Sequence, residues 1–253
     1  SGNHTVRPCE ILPRSGQKVI VPPSDFIYAL LGLSKSTTDG LNIGQIATNI
    51  SAESEVPVIL NRSIIQRHIF IGGTTGGGKS YAAKVFAEDI HKQNVPIIFF
   101  DTQNEFGNLT TRLNGTILNP GGSYHVKLSS LTPDEIQGLC PTISHELHIN
   151  TLINSFLRLS EGGSEFGSDE LLSVIDVVAQ ELNVPENGRR ILNQRVGYHL
   201  RSYNFLGNQF DWSAHIRSGS IINIDCRGVS RNRMQLILAA TLRELQTLRL
   251  TNH

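Results

Sequence analysis

Lys79 and Ser80 close a glycine-dense loop, GGTTGGGKS at residues 72–80, whose residue types and spacing specify chemistry. Gly73, Gly78, Lys79 and Ser80 satisfy G-x-x-x-x-G-K-[ST], a phosphate-binding pattern. Gly76, Gly77 and Gly78 can take backbone angles closed to residues with a Cβ, so successive N–H groups can turn inward around an anion. A helix opening at Lys79 adds the favourable end of its dipole to the same anion. Lys79 is placed to bridge the β and γ phosphates and the Ser80 hydroxyl to ligate Mg²⁺. The expected ligands are ATP and Mg²⁺, with Gly73, Thr74, Thr75, Gly76, Gly77, Gly78, Lys79, Ser80 and Tyr81 as the expected contacts.

Such a loop needs a strand before it and a helix after it. RHIFIGG, residues 67–73, reads as the strand, and KSYAAKVFAEDIHKQ carries Ala82, Val85, Phe86 and Ile90 near helical spacing. VPIIFFD, ending at Asp101, is a continuous apolar run of the kind found in parallel strands covered on both faces. The stretch predicts a strand–loop–helix–strand unit and an α/β fold around a P-loop.

Upstream, CEIL, QKVIVPP, LNIGQIATN and VPVIL are short β-favouring runs broken by Pro, Gly and Ser, with a short helix expected from about Ser24. Residues 1–62 therefore read as a small β-rich segment, and residues 63–253 as the P-loop domain. A helical insert is expected at about 130–215. It begins at TPDE, 132–135, where Thr is an N-cap, Pro the first helical residue and Glu the capping-box partner, and it is interrupted by the loop EGGSEFGSDE. GSIINIDCRG then returns to strand character. The helix after it presents Met234, Ile237, Leu238, Thr241, Leu242, Leu245 and Leu248 as one apolar stripe.

Two strands end in acid, at Asp101 and Asp225. Asp101 and Glu105 either act near the γ phosphate, at the strand end where α/β sites form, or make a strand-end turn with a solvated acid. By pattern Asp225 is a candidate Mg²⁺ carboxylate, although Cys226 and Arg227 follow it where a catalytic Glu would be expected. His145 and His148 lack the i, i+4 spacing of a zinc helix and read as surface histidines. Arg189, Arg190, Arg195 and Arg201 decorate one helix. Arg190 and Arg201 share a side, so a solvated face or a DNA strip both fit.

The stretches RHIFIGGTTGGGKSYAAKVFAEDI and VPIIFFDTQNEF together resemble the HerA family of hexameric DNA translocases, within the wider HerA and FtsK group. The matching features are His68 before the loop, GTTGGGKS, and DTQNEF, with Asp101 and Glu105 aligned. Thr102, Gln103 and Asn104 replace the family's Pro, His and Gly. LNIGQIATN and VPVILN look like the tail of the family's small β-barrel, and SIINIDCRGVSRNRMQLILAATLRELQ like its I-I-D-L-S strand and following helix. The resemblance implies a RecA-like core, a homo-hexameric ring, ATP-driven movement along duplex DNA in repair or processing, and a nuclease partner. It assigns Lys79, Asp101 and Glu105 to catalysis. It also implies that the catalytic glutamate and arginine finger lie beyond His253, so that the chain is a piece of a longer motor.

The whole chain bounds these readings. At 253 residues, with 39% hydrophobic and 17% charged residues, it can bury a substantial core. Its net charge of 0 and pI near 7.1 give no global field for nucleic acid, so any DNA contact must be local. The longest apolar run, FIYALLGL, is far short of the roughly 20 residues of a membrane span. The expectations are no membrane contact and a cytoplasmic location. Cys9, Cys140 and Cys226 are too dispersed for a disulfide or zinc framework and are expected to pack. Two rival readings share the loop: a conjugation or secretion ATPase, and a nucleotide-gated assembly module with little hydrolysis.

Overall fold

The computed structural model describes residues 14–18, 23–33, 40–46, 56–207 and 210–251. The apolar run at 9–12, most of the run at 17–23, and Cys9 lie outside them. The chain divides into two compact units, residues 1–95 and 96–253.

In the first unit, α1 (Ser24–Leu31) ends where Gly32 turns left-handed at φ 62°, letting its N–H reach the Tyr28 carbonyl. β1 (Gly40–Gln45) and β2 (Pro57–Asn61) pair antiparallel with Leu41 opposite Leu60 and an irregularity between Asn42 and Gly44. α2 (Lys79–Lys92) lies against β1. Two polar ties hold it: the Asn42 N–H donates to the Asp89 carboxylate at 2.6 Å, and Gln93 Nε2 to the Gly40 carbonyl at 2.9 Å. Leu41, Val56, Ile59 and Ala87 are buried in this unit.

One sequence expectation fails here. Residues 67–74 carry no strand ladder among the described residues, and Ile69, Phe70 and Ile71 are 43%, 93% and 39% exposed. The apolar pattern is that of a strand, but β1 and β2 are paired with each other and, among the described residues, no edge takes up the backbone of 67–72. Pattern gives a segment its preference, whereas a ladder requires a neighbour.

The second unit is built on a three-stranded parallel sheet in the order β3–β5–β4, where β3 is Ile97–Asp101, β4 Thr116–Leu118 and β5 Ile221–Asp225. Ile98 and Phe100 lie in register with Ile222 and Ile224, and these side chains share one sheet face with Leu118. β5, the central strand, is buried along Ile221–Ile224 and β3 is half-buried along Ile97–Phe100, which suits the apolar runs they carry. α3 (Gly107–Arg112) joins β3 to β4. Among the described residues a short 3-10 turn (Leu128–Ser130) and five α-helices separate β4 from β5: α4 (Pro133–Leu139), α5 (Glu146–Glu161), α6 (Ser168–Glu181), α7 (Glu186–Ser202) and α8 (Trp212–His215).

α4 starts with the capping box read from the sequence: Thr132 Oγ1 accepts from the Glu135 N–H, and Glu135 accepts from the Thr132 N–H. α5, α6 and α7 pack in sequence through Leu152, Phe156, Leu171, Ile175, Leu192 and Val196. Each such side chain contributes about 1.5–3 kcal/mol when fully buried.

α9 (Arg231–Thr251) fastens this insert to the sheet. The Trp212 indole donates to Glu244, which also accepts from Ser130 and from the Lys127 N–H, while Tyr124 bonds Thr241. Met234, Ile237, Thr241, Leu245 and Leu248 of the expected α9 stripe face the core, and the stripe departs from the expectation at two positions. Ile237, Ala240 and Thr241 are buried, but Leu238 and Leu242 are 37% and 54% exposed. The inserted helices and loops cover the Ala240 side of α9, so a small residue takes the place expected of a leucine.

Candidate functional site

The glycine loop has the geometry its composition requires. Gly76 and Gly78 sit at φ 78° and 80°, where a Cβ is strained. The Gly77 N–H donates to the Thr74 carbonyl at 3.0 Å, closing a tight turn, and a Cβ on Gly77 would stand 3.1 Å from that same oxygen. α2 begins directly at Lys79, with Gly78 at its N-cap, no side-chain cap and no acid in the first turn. Its first N–H groups and dipole end are thus left for an anion. Lys79 folds back along the loop, its ammonium donating to the Thr74 carbonyl at 2.6 Å and its Cγ 3.3 Å from where a Cβ on Gly73 would stand. Ser80 is half-buried on the first turn, whereas Thr74, Thr75 and Tyr81 are exposed. The uncapped start of α2 with one ammonium beside it fits a phosphate chain, and the Ser80 hydroxyl fits a hard divalent cation.

The acidic strand ends belong to the second unit. Asp101 and Asp225 are register partners at the carboxyl ends of β3 and β5, but they are held differently. Asp101 is 3% exposed, and its carboxylate accepts the N–H groups of Gln103, Glu105 and Phe106 at 3.2, 3.0 and 2.8 Å. Asn223 on the neighbouring strand donates to it at 3.3 Å. The turn places Asn104 at φ 59°, a conformation Asn tolerates, and a Cβ on Gly107 would stand 2.4 Å from Asn104 Oδ1, so a larger residue there has to push that side chain aside. Glu105 is exposed on this turn. Asp101 therefore organises the turn, and Glu105 is the carboxylate the turn presents.

Asp225 is gripped by Arg227, whose Nε lies 2.9 and 3.0 Å from its two oxygens and whose Nη2 is 2.6 Å from Oδ2. The Arg227 hydrogen bond holds the Asp225 carboxyl below the usual range. Any cation at Asp225 has to displace this guanidinium. Cys226, between them, is buried, and burial pushes its thiol up to about 11. Cys140 is likewise buried.

The structure thus gathers the loop residues around one turn and sets Asp101 beside Asp225. Two partners escaped the sequence reading. Asn223 was signalled only as a polar residue in an apolar strand, and Arg227 only by its place two residues after an acid. His145 and His148 sit with ring centroids 5.2 Å apart, and no group of three metal-ligating side chains forms among the described residues. Among the described residues no helix is long and apolar enough to cross a membrane.

A phosphate loop opening a helix in one unit, and in the other a parallel α/β sheet of which two strands end in acids, are the parts of a RecA-like P-loop NTPase. The chain belongs to the HerA helicase family: residues 41–245 match "Helicase HerA, central domain". Domains of this kind are P-loop ATPases. A probable DNA double-strand break repair helicase HerA from Methanocaldococcus jannaschii is 38% identical over 71 residues, 28% of this chain and 13% of that protein. In fold the chain is similar to VirB4 of Thermoanaerobacter pseudethanolicus, with TM-score 0.51 and 17% identity over 84% of this chain and 65% of that one. The bacterial conjugative coupling protein TrwBdeltaN70 aligns with TM-score 0.43 and 15% identity over 78% of this chain and 54% of that one. The chain thus spans less than two thirds of each of these relatives.

Proposed function

We propose that this chain is the ATP-binding motor domain of a homo-hexameric DNA translocase or helicase that moves along duplex DNA in repair or processing, with a nuclease partner. The observation that carries it is the glycine cradle of Gly76, Gly77 and Gly78 with Lys79, within a HerA central domain. The backbone N–H groups of Gly76, Gly78, Lys79 and Ser80 would hold the phosphates while the Gly77 N–H keeps the turn closed on Thr74, Lys79 would exchange the Thr74 carbonyl for the β and γ phosphates, and Ser80 would hold Mg²⁺. Bound Mg²⁺ neutralises phosphate charge. Glu105 is the exposed carboxylate of the turn that Asp101 holds, and in this reading it would be the group that polarises water. DNA-stimulated ATP turnover tests the reading: linear duplex should raise the rate, and a rate indifferent to DNA contradicts it.

A second reading is favoured by one observation. Asp101 is committed to its turn and Asp225 to Arg227, so neither strand-end carboxylate is free. A nucleotide-gated assembly module with little hydrolysis uses the same loop. ATP binding with negligible turnover, accompanied by nucleotide-dependent association, would select it.

A further inference from the structure

The second unit separates its charges in a way the ATP site does not use. α6 carries Asp169, Glu170, Asp176 and Glu181 and no base, whereas α7 beside it carries Arg189, Arg190, Arg195 and Arg201 with Glu186 alone as acid. Leu192, Val196 and Leu200 turn one side of α7 into the core. Arg190, Gln194, Tyr198 and Arg201, at i, i+4, i+8 and i+11, form a single ridge on the other, all exposed and Tyr198 69% so.

Some arginines of the unit are paired with acids, and those of this ridge are among the ones that are not. Arg158, Arg189, Arg227 and Arg243 each face a carboxylate: Glu181, Asp176, Asp225 and Glu135. Among the described residues Arg190, Arg195 and Arg201 face none. Arg190 donates to the neutral Asn187 amide at 3.3 Å and Arg195 to the Thr142 carbonyl at 3.1 Å. Arg201 lies back over Gly197, where a Cβ would come within 3.3 Å of both terminal nitrogens. The missing side chain lets the guanidinium rest flat along the ridge.

We propose that this outer face of α7 contacts the phosphate backbone of duplex DNA; the inference rests on the DNA-motor reading above and gives it a binding surface. An anion is the complement that fits it, because its two guanidiniums are paired with no carboxylate among the described residues and Glu186, one turn before Arg190, is the single acid of α7. Arg190 and Arg201 stand about 16 Å apart at 1.5 Å per residue, a span of about five base steps at 3.4 Å each. Two guanidiniums with an amide and a phenol between them suit phosphate and sugar rather than base edges, so the contact is independent of sequence.

The test measures binding of the full chain to two labelled linear duplexes of unrelated sequence by anisotropy between 50 and 200 mM salt. The Arg190→Gln/Arg201→Gln double variant should weaken both equally and lower the slope of log K against log salt by about 1.8. Its deficit relative to wild type then narrows about twelvefold across that range. Arg158→Gln, which removes an arginine already paired with Glu181, should leave the slope unchanged. An unchanged slope in the double variant, or an equal drop in Arg158→Gln, overturns the inference. So does a double variant that changes oligomeric state with its slope intact, since the ridge is then a contact between copies. Failure of the motor reading shows separately, as turnover that DNA does not stimulate; a wild type that binds no duplex at 50 mM overturns both.

Discussion

Replacing Asp101 by Ala should destabilise the second unit by about 3–4 kcal/mol. The carboxylate is 3% exposed and accepts two short charge-assisted bonds, from Phe106 at 2.8 Å and Glu105 at 3.0 Å. Bonds to an ionised buried acceptor contribute about 1.5–2 kcal/mol each, near the lower end of their range, and the longer ones from Gln103 and Asn223 add less. Asp101→Asn keeps one acceptor oxygen and turns the other position into a donor that faces N–H groups, so about 2 kcal/mol is expected. Urea denaturation followed by fluorescence of Trp212, the single tryptophan and 4% exposed in this unit, reads the loss directly. If Asp101→Asn melts with wild type while ATP turnover collapses, the carboxylate serves chemistry and the assignment of Asp101 to the turn is refuted.

Other outcomes follow from the same geometry. Gly78→Ala forces a Cβ onto φ 80° and should cost about 1–2 kcal/mol, with ATP affinity falling about tenfold or more in calorimetry as the cradle distorts. Wild-type affinity in that variant would mean that the left-handed angle is not needed for phosphate. Arg227→Ala should lower stability in a pH-dependent way. The folded Asp225 pKa lies below its ordinary value, so the pair's contribution is fully present above about pH 4 and is lost as pH falls through the folded pKa. The two urea midpoints should differ at neutral pH and converge in acid; a gap that persists in acid contradicts the pairing.

What the sequence disclosed is local and chemical. The capping box at Thr132, the apolar runs of β3 and β5, the helix from Ser24 and the loop at 72–80 are set by neighbours a few residues apart, and each forms where it was read. Long-range pairing was less legible. The run 67–72 has strand composition yet no ladder among the described residues, because a ladder depends on a partner that pattern alone does not name. The departure of the α9 stripe at Leu238 and Leu242 likewise depends on what the insert presses against it. At the candidate site, Asp101 and Asp225 were visible as strand-end acids. Asn223 reaching across from β5 and Arg227 folding back beside Gly228 at φ 73° exist only in three dimensions.

The most direct test of the central claim, that the loop at 72–80 is a nucleotide site, is calorimetric titration of the chain and of Lys79→Ala with ATP in the presence of Mg²⁺. Wild type should bind and Lys79→Ala should lose measurable binding while unfolding at the same urea concentration. Equal affinity in the two proteins would contradict the claim.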